Sequence, residues 1–241
     1  MKRARSGVYY HLTRWNIFEV RAWGTVWMLP FKSASTSIRR ALATQLGLPT
    51  EDVHRLTPFQ GLDKHGAQAF QRNGYLVIGS VRHPVARLAS CWYDKVYRAP
   101  FYVEFQNFSE FRPGMSFVDF VDAVADIPDE DAEPHFRSQS FDLVDEGRVI
   151  PDVLIDQSTI LADWNRVRAH VAVRTSPHVW LPDLTWDNRN PWRDDIGEVP
   201  ERTLVVIRER FADDFAAFGY DSDPGSIAEL LRGRQALAPS N

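Results

Sequence analysis

Twice in its first hundred residues the chain runs through a short apolar stretch that stops abruptly at small or basic residues, with good helix formers behind them. The first is Trp23 to Phe31 (WGTVWMLPF), ending at Lys32-Ser33-Ala34-Ser35-Thr36; the second is Tyr75 to Val81 (YLVIGSV), ending at Arg82-His83-Pro84. Apolar runs without polar alternation suit strands buried on both faces, the condition of a parallel sheet covered by helices. The segments behind them fit those helices. Ser37 to Gly47 combines helix formers with a terminal glycine, and Pro84 stands where a first turn loses no hydrogen bond, before a helical stretch to about Tyr97.

Further along, Ser116 suits the cap of a helix over Phe117 to Ala125, Val153 to Ile155 reads as a short strand, and Ser158 to Val171 as a helix. Pro200 opens a last helix ending near Gly219. Strands alternating with helices predict an α/β fold with a central, mainly parallel sheet flanked by helices. No repeat, low-complexity tract or long linker divides the 241 residues. The expectation is one domain over residues 1–241, with its core at about 22–221 and a C-terminal tail at 222–241 that frays from Gln235 to Asn241.

Charge narrows the function. The net charge of −4 conceals an asymmetry: residues 1–98 hold 15 Lys/Arg against 5 Asp/Glu, and residues 99–241 hold 13 against 27. Anion binding is therefore expected in the first half, while the acidic whole argues against a nucleic-acid partner. Cys91 is the only cysteine, so no intrachain disulfide forms. Behind the basic start Met1-Lys2-Arg3-Ala4-Arg5, the charges of Arg14, Glu19 and Arg21 break up any apolar segment, and no uncharged run exceeds ten residues. About 20 apolar residues are needed to cross a bilayer. A cytoplasmic protein without a membrane span is expected, and its oligomeric state is left open.

Both junctions have the composition of anion sites. In the first, small residues let backbone N–H groups approach an anion, the helix start adds partial positive charge, and Lys32 adds a full one. The P-loop of nucleoside triphosphatases would place glycines at fixed positions and its lysine at the helix end; here the lysine comes first and the glycines are absent. In the second, VIGSVRHPVARLASCWYDK, Arg82 stands at the strand end and Ser90 follows two helical turns later, with Arg87 between. An arginine fork and a hydroxyl suit a phosphate. Two anion sites at neighbouring strand ends suit a ligand carrying two separate phosphate groups.

With those residues in place, the chain resembles the sulfotransferases. Phe31 to Arg40 resembles their 5′-phosphosulfate loop. Val81 to Lys95 is similar to their 3′-phosphate motif in the form found in the chondroitin, dermatan and HNK-1 carbohydrate sulfotransferase group. Pro134-His135-Phe136-Arg137-Ser138-Gln139 is similar to that group's His-Trp-Arg-Pro-Gln/Met segment, with Phe136 and Ser138 in place of Trp and Pro. Phe211 to Tyr220 (FADDFAAFGY) resembles its closing Asp-Phe-x-x-Phe-Gly-Tyr, and Asp156-Gln157 stands where the group usually has an acidic residue in an Arg/Lys-x-Glu-type stretch after a strand. The Golgi members carry a membrane anchor and cysteines that this sequence lacks.

The resemblance implies a P-loop-NTPase-like three-layer sandwich and an enzyme that transfers a sulfuryl group from 3′-phosphoadenosine-5′-phosphosulfate (PAPS) to a hydroxyl, with a carbohydrate as the expected acceptor. Lys32 would act on the leaving 5′-phosphate and the sulfuryl oxygens. Ser33, Ala34, Ser35, Thr36 and Ser37 would form the cradle, and Arg82 and Ser90 would hold the 3′-phosphate. Arg87 serves either that phosphate or a structural ion pair.

A base is needed for the acceptor hydroxyl, and His135 leads because it falls in a matched segment, with His54 and His65 in reserve. Glu130, Asp131 and Glu133 beside His135 either orient it or are simply solvated, and a solvated acidic run is the default reading. Cys91 and Trp92 read as core, as do most of the eight tryptophans; Trp180, Trp186 and Trp192 are alternatives for stacking a sugar. Arg39, Arg40 and Arg98 would give a basic groove for an anionic glycan. No H-E-x-x-H or paired-cysteine spacing occurs, and no metal is expected. The alternatives are a P-loop-type kinase using Lys32 and Ser37 with ATP and Mg²⁺, and a protein that binds a nucleotide or a sulfated glycan without turnover.

Overall fold

Both apolar runs form strands, and both strands are shorter than the runs that hold them. The computed structural model describes residues 16–54, 56, 61–98, 100–185 and 192–233. The first half of the chain gives β1 (Ile17–Val20), β2 (Thr25–Met28), α1 (Ser35–Gln45), α2 (Lys64–Arg72) and β3 (Leu76–Val81). Helix α3 (Pro84–Trp92) continues into a π-helical turn at Tyr93–Tyr97, followed by a 3₁₀ turn at Val103–Asn107 and α4 (Phe117–Ala125). Then come α5 (Gln139–Leu143), β4 (Val144–Asp145), β5 (Arg148–Val149), β6 (Val153–Asp156) and α6 (Ile160–Arg174). The last elements are α7 (Trp192–Asp195), α8 (Glu201–Arg210), α9 (Ala212–Phe218) and α10 (Pro224–Leu231).

These elements divide into two compact units: the described residues up to Val81 together with those from Gln139 to Thr185, and Arg82 to Ser138 together with Trp192 onward. The first unit holds a four-stranded sheet in the order β1-β2-β3-β6. β2 pairs parallel with β3, Met28 opposite Gly79, and β3 pairs parallel with β6, Ile78 opposite Val153. The expected mainly parallel α/β sheet is present. The antiparallel edge strand β1, paired with β2 through Phe18 and Trp27, is an addition to it.

One face of this sheet presents Phe18, Trp27, Ile78 and Ile155 to a core completed by Ile38 and Leu42 of α1 and by Trp164, Val167 and Val171 of α6. Val26 and Val77 alternate to the other face, and α2 packs on β1, β2 and β3 outside that core. Helices thus cover both faces, which is why the strands read as continuous apolar runs. Gly79 is required by a close approach inside the sheet: a Cβ there would stand 2.6 Å from Pro151 Cγ. A tight turn at Glu146 and Gly147, both with positive φ, joins β4 to β5 in a separate hairpin.

In the second unit α4 packs on α8, and α10 packs on α8 and α3. The rings of Phe105, Phe108, Phe111, Phe120 and Phe136 meet one another in its core. Ser116 caps α4 as expected, its hydroxyl accepting from the Asp119 N–H at 3.1 Å. The single helix expected from Pro200 to Gly219 is two: Phe211 leaves the helical region (φ −115°, ψ 27°) and buries its ring, separating α8 from α9. Gly219 ends α9 in the left-handed region at φ 69°. Residues 222–233, expected as part of a tail, carry α10, whose start is capped by the Asp223 carboxylate accepting from the Ser226 N–H at 3.0 Å. Gln235 to Asn241 lie outside the described residues. Among the described residues no helix is long and apolar enough to cross a membrane.

Candidate functional site

The loop between β2 and α1 is conformationally unusual. Among the described residues only three non-glycine residues have positive φ, and two of them are Lys32 (φ 67°) and Ala34 (φ 65°). Left-handed backbone costs an L-residue about 1–2 kcal/mol, so the surrounding structure must hold it. Alternating left-handed residues turn successive backbone N–H groups toward one side, the geometry of an anion nest, directly before the start of α1. The helix begins at Ser35, two residues earlier than the sequence suggested, so Ser35, Thr36 and Ser37 all lie in its first turn.

What holds the loop is Ser33. Its buried hydroxyl donates to the Pro30 carbonyl at 2.5 Å, and that commits its only proton. The Ser80 hydroxyl, 2.7 Å away on β3, is therefore the donor in the Ser33–Ser80 pair. Because β2 and β3 are parallel neighbours, this bond ties the loop to the carboxyl end of the next strand. The Ser33 hydroxyl is thus a clasp. On the next turn Thr36 Oγ1 lies 2.8 Å from His54 Nε2, and the His54 ring stands 5.5 Å from that of Phe31. His54 accordingly joins the loop, whereas His65 is exposed on α2. Nothing in the sequence pairs Ser33 with Ser80 or Thr36 with His54; the one signal was a polar residue inside the apolar run YLVIGSV.

Arg39 does not line a groove. It is buried against the Phe18 ring, 4.9 Å from its centroid, and burial pushes its guanidinium down to about 9. Arg40 is half-buried, donating to the Thr50 carbonyl, and Arg98 is exposed.

In the second unit, Arg82 is half-buried at its first residue, and Ser90 is buried on α3. Arg87, only 2% exposed, donates to the Arg137 carbonyl at 2.5 Å and the Pro134 carbonyl at 2.9 Å. Those two carbonyls flank His135, so Arg87 holds the segment that carries it. The opposite end is tied by Arg210, which donates to the Ser138 hydroxyl at 3.0 Å and to the Asp129 carboxylate at 2.6 Å. Burial acts to raise the Asp129 carboxyl, but Arg210 and Ser138 outweigh it and hold it below the usual range. Ser138 therefore takes part in this tie, and Phe136 fills the aromatic core.

His83, between Arg82 and Pro84, packs its buried ring against Phe215 at 5.5 Å and Tyr220 at 5.0 Å. This contact joins the RHP segment to FADDFAAFGY. Burial pushes the His83 imidazole down to about 4, with Asp221 acting the other way. Cys91 and Trp92 are core residues, the Trp92 indole donating to the Met115 carbonyl at 2.8 Å. Trp192 is buried, Trp180 is 59% exposed with the Arg168 guanidinium 4.9 Å over its ring, and Trp186 lies outside the described residues.

The acidic run beside His135 is not uniformly solvated. Glu130 is exposed and Asp131 half-buried, but Glu133 is 1% exposed, with Oε1 2.8 Å from His135 Nδ1. Burial of the residue two positions away was not visible in the sequence. Among the described residues no group of three or more His, Cys, Asp or Glu side chains is placed to hold a metal ion.

At Asp156, on the end of β6, the carboxylate accepts from the Ser158 N–H at 2.6 Å and closes the turn into α6. No curated protein and no solved structure matches the chain. The family model for the sulfotransferase family does match, over residues 26–221, from within β2 through the left-handed loop, the RHP segment and the closing FGY, and the chain belongs to that family.

Proposed function

We propose that this sulfotransferase uses PAPS as its donor and a carbohydrate hydroxyl as its acceptor, and that both units form one sulfotransferase domain, since the family match runs through both. The observation that carries the donor reading is the strained loop: two left-handed non-glycine residues, clasped by Ser33 and Ser80, directly before a helix start. Such a loop suits a 5′-phosphosulfate. Bound there, PAPS would supply the sulfuryl group.

Lys32 offsets negative charge on the transferring group and on the leaving phosphate oxygen, and the backbone of residues 33–37 donates to the same anion. Arg82 and Ser90 hold the 3′-phosphate. His135 accepts the acceptor's proton at Nε2, since the Glu133 carboxylate keeps the ring's other proton on Nδ1. The bridge from His54 to Thr36 supports a second reading, in which His54 is the base.

Calorimetric binding of adenosine 3′,5′-bisphosphate without metal tests the donor assignment, with ATP plus Mg²⁺ as the comparison. Micromolar binding is expected, reduced by about one to two decades in Arg82→Ala, the cost of a charge-assisted hydrogen bond of about 1.5–3 kcal/mol. Binding of ATP alone would move the reading to phosphoryl transfer. Transfer of labelled sulfate from PAPS to desulfated chondroitin separates an enzyme from a binding protein. His135→Ala and His54→Ala in that assay decide between the bases.

A further inference from the structure

A carboxylate buried to 1% exposure is expensive unless it is paired, and Glu133 spends both of its oxygens on one residue. Oε1 lies 2.8 Å from His135 Nδ1, and Oε2 accepts the backbone N–H of His135 at 2.7 Å. Main chain and ring of His135 are therefore set by the same carboxylate. Tyr102 packs edge-on against the ring at 5.1 Å between centroids, and Lys95, in the π-helical turn after α3, stands 4.1 Å over the Tyr102 ring. Burial, and then the charge of Glu133, raises the Tyr102 phenol, so it stays protonated beside the imidazole.

This is more than a structural hydrogen bond needs. A carboxylate on Nδ1 can only accept, so it selects the tautomer with Nδ1 protonated and Nε2 as the ring's acceptor. When Nε2 takes up a proton, the imidazolium so formed faces a fixed negative charge. A glutamine of the same size has one oxygen for the two contacts: with that oxygen on the His135 backbone N–H its NH₂ faces Nδ1 and favours the other tautomer, and it supplies no charge.

We propose that Glu133 is a positioning residue for His135, fixing its Nδ1-protonated tautomer and its ring orientation so that Nε2 serves as the base in sulfuryl transfer. The proposal rests on His135 being that base. Tyr102 packs edge-on against the ring and Lys95 stands over Tyr102, while the carboxylate acts on the imidazole directly.

Long-range ¹H–¹⁵N correlation on the full chain with ¹⁵N-labelled histidine reads the tautomer without any acceptor. In its neutral form the wild type's His135 should show a protonated Nδ1 and an unprotonated Nε2. Glu133→Gln should lose that signature while still binding adenosine 3′,5′-bisphosphate within about twofold, and Glu133→Asp should restore part of it. With PAPS and desulfated chondroitin as the probe, kcat should fall about a hundredfold in Glu133→Gln with little change in KM, and should fall no further when His135→Ala is added.

An unchanged tautomer in Glu133→Gln overturns the proposal, as does full turnover of that variant alongside a dead His135→Ala. Full turnover in His135→Ala sinks the base assignment instead, leaving the tautomer result intact. If the wild type does not turn over chondroitin, the acceptor assignment fails and the tautomer decides the role of Glu133 alone.

Discussion

Replacing Arg87 by methionine keeps an apolar stem of similar length and removes the guanidinium that holds the His135 segment. Two charge-assisted donors are lost, to the Arg137 carbonyl at 2.5 Å and the Pro134 carbonyl at 2.9 Å. At about 1.5–3 kcal/mol each the gross loss is about 3–6 kcal/mol. Removing a buried charge also removes its desolvation cost, which returns part of that sum. A net destabilisation of about 3 kcal/mol follows, a large value for one substitution. Urea unfolding followed by tryptophan fluorescence measures it, with Arg87→Lys, which keeps the charge but not the fork, expected to fall between. Because both donors point to carbonyls rather than to a ligand, the affinity for adenosine 3′,5′-bisphosphate should change less than tenfold, measured at a urea-free temperature where the variant is folded. A variant of unchanged stability would mean that the two carbonyl bonds contribute nothing net, and one that is stable yet loses the bisphosphate by two decades would return Arg87 to the phosphate.

Two other expectations follow from backbone strain and burial. Ala34→Gly should be neutral or stabilising by up to about 1 kcal/mol, because glycine meets φ 65° without a Cβ penalty; thermal melting checks it, and a loss above 1 kcal/mol would mean that the Ala34 methyl packs more than it strains. His83 is held neutral in the fold at about 4 against 6.5 in the unfolded chain, so its stabilisation is complete above pH 6.5 and is lost as pH falls toward 4, when the unfolded chain takes up the proton first. Urea midpoints at pH 7 and 4.5 should show the wild type losing about 2–3 kcal/mol more than His83→Phe, and equal losses would place the pH dependence elsewhere.

How much of this was readable in the sequence depended on whether the signal was local. Both βα junctions, the Ser116 cap and the short strand before Asp156 rest on composition within a few residues, and they stand where they were expected. β1 went unread because the edge strand has only four residues, with Glu19 among them and Arg21 directly behind, too short a run to stand out as apolar. The Pro200 helix was read through Phe211 because nothing in FADDF marks the break; the ring's burial does. At the site, residue types were legible but partners were not. Ser33 looked like a ligand hydroxyl until Ser80 arrived from the neighbouring strand, Arg39 looked like surface charge until α1 turned it onto Phe18, and Glu133 looked solvated until a tight turn folded it back on His135.

The clasp at the first loop bears on how relatives of this protein can vary. Ser33 and Ser80 share one hydrogen bond across 47 residues of sequence; losing Ser33 leaves the buried Ser80 hydroxyl without its acceptor, whereas losing Ser80 leaves Ser33 still donating to Pro30, so a change at position 33 should bring one at position 80. Position 34 faces the opposite constraint: its left-handed backbone is met as well by glycine or asparagine, so drift there is cheap. A search built on fixed glycines would pass this loop over, while one built on the coupled serines would find it.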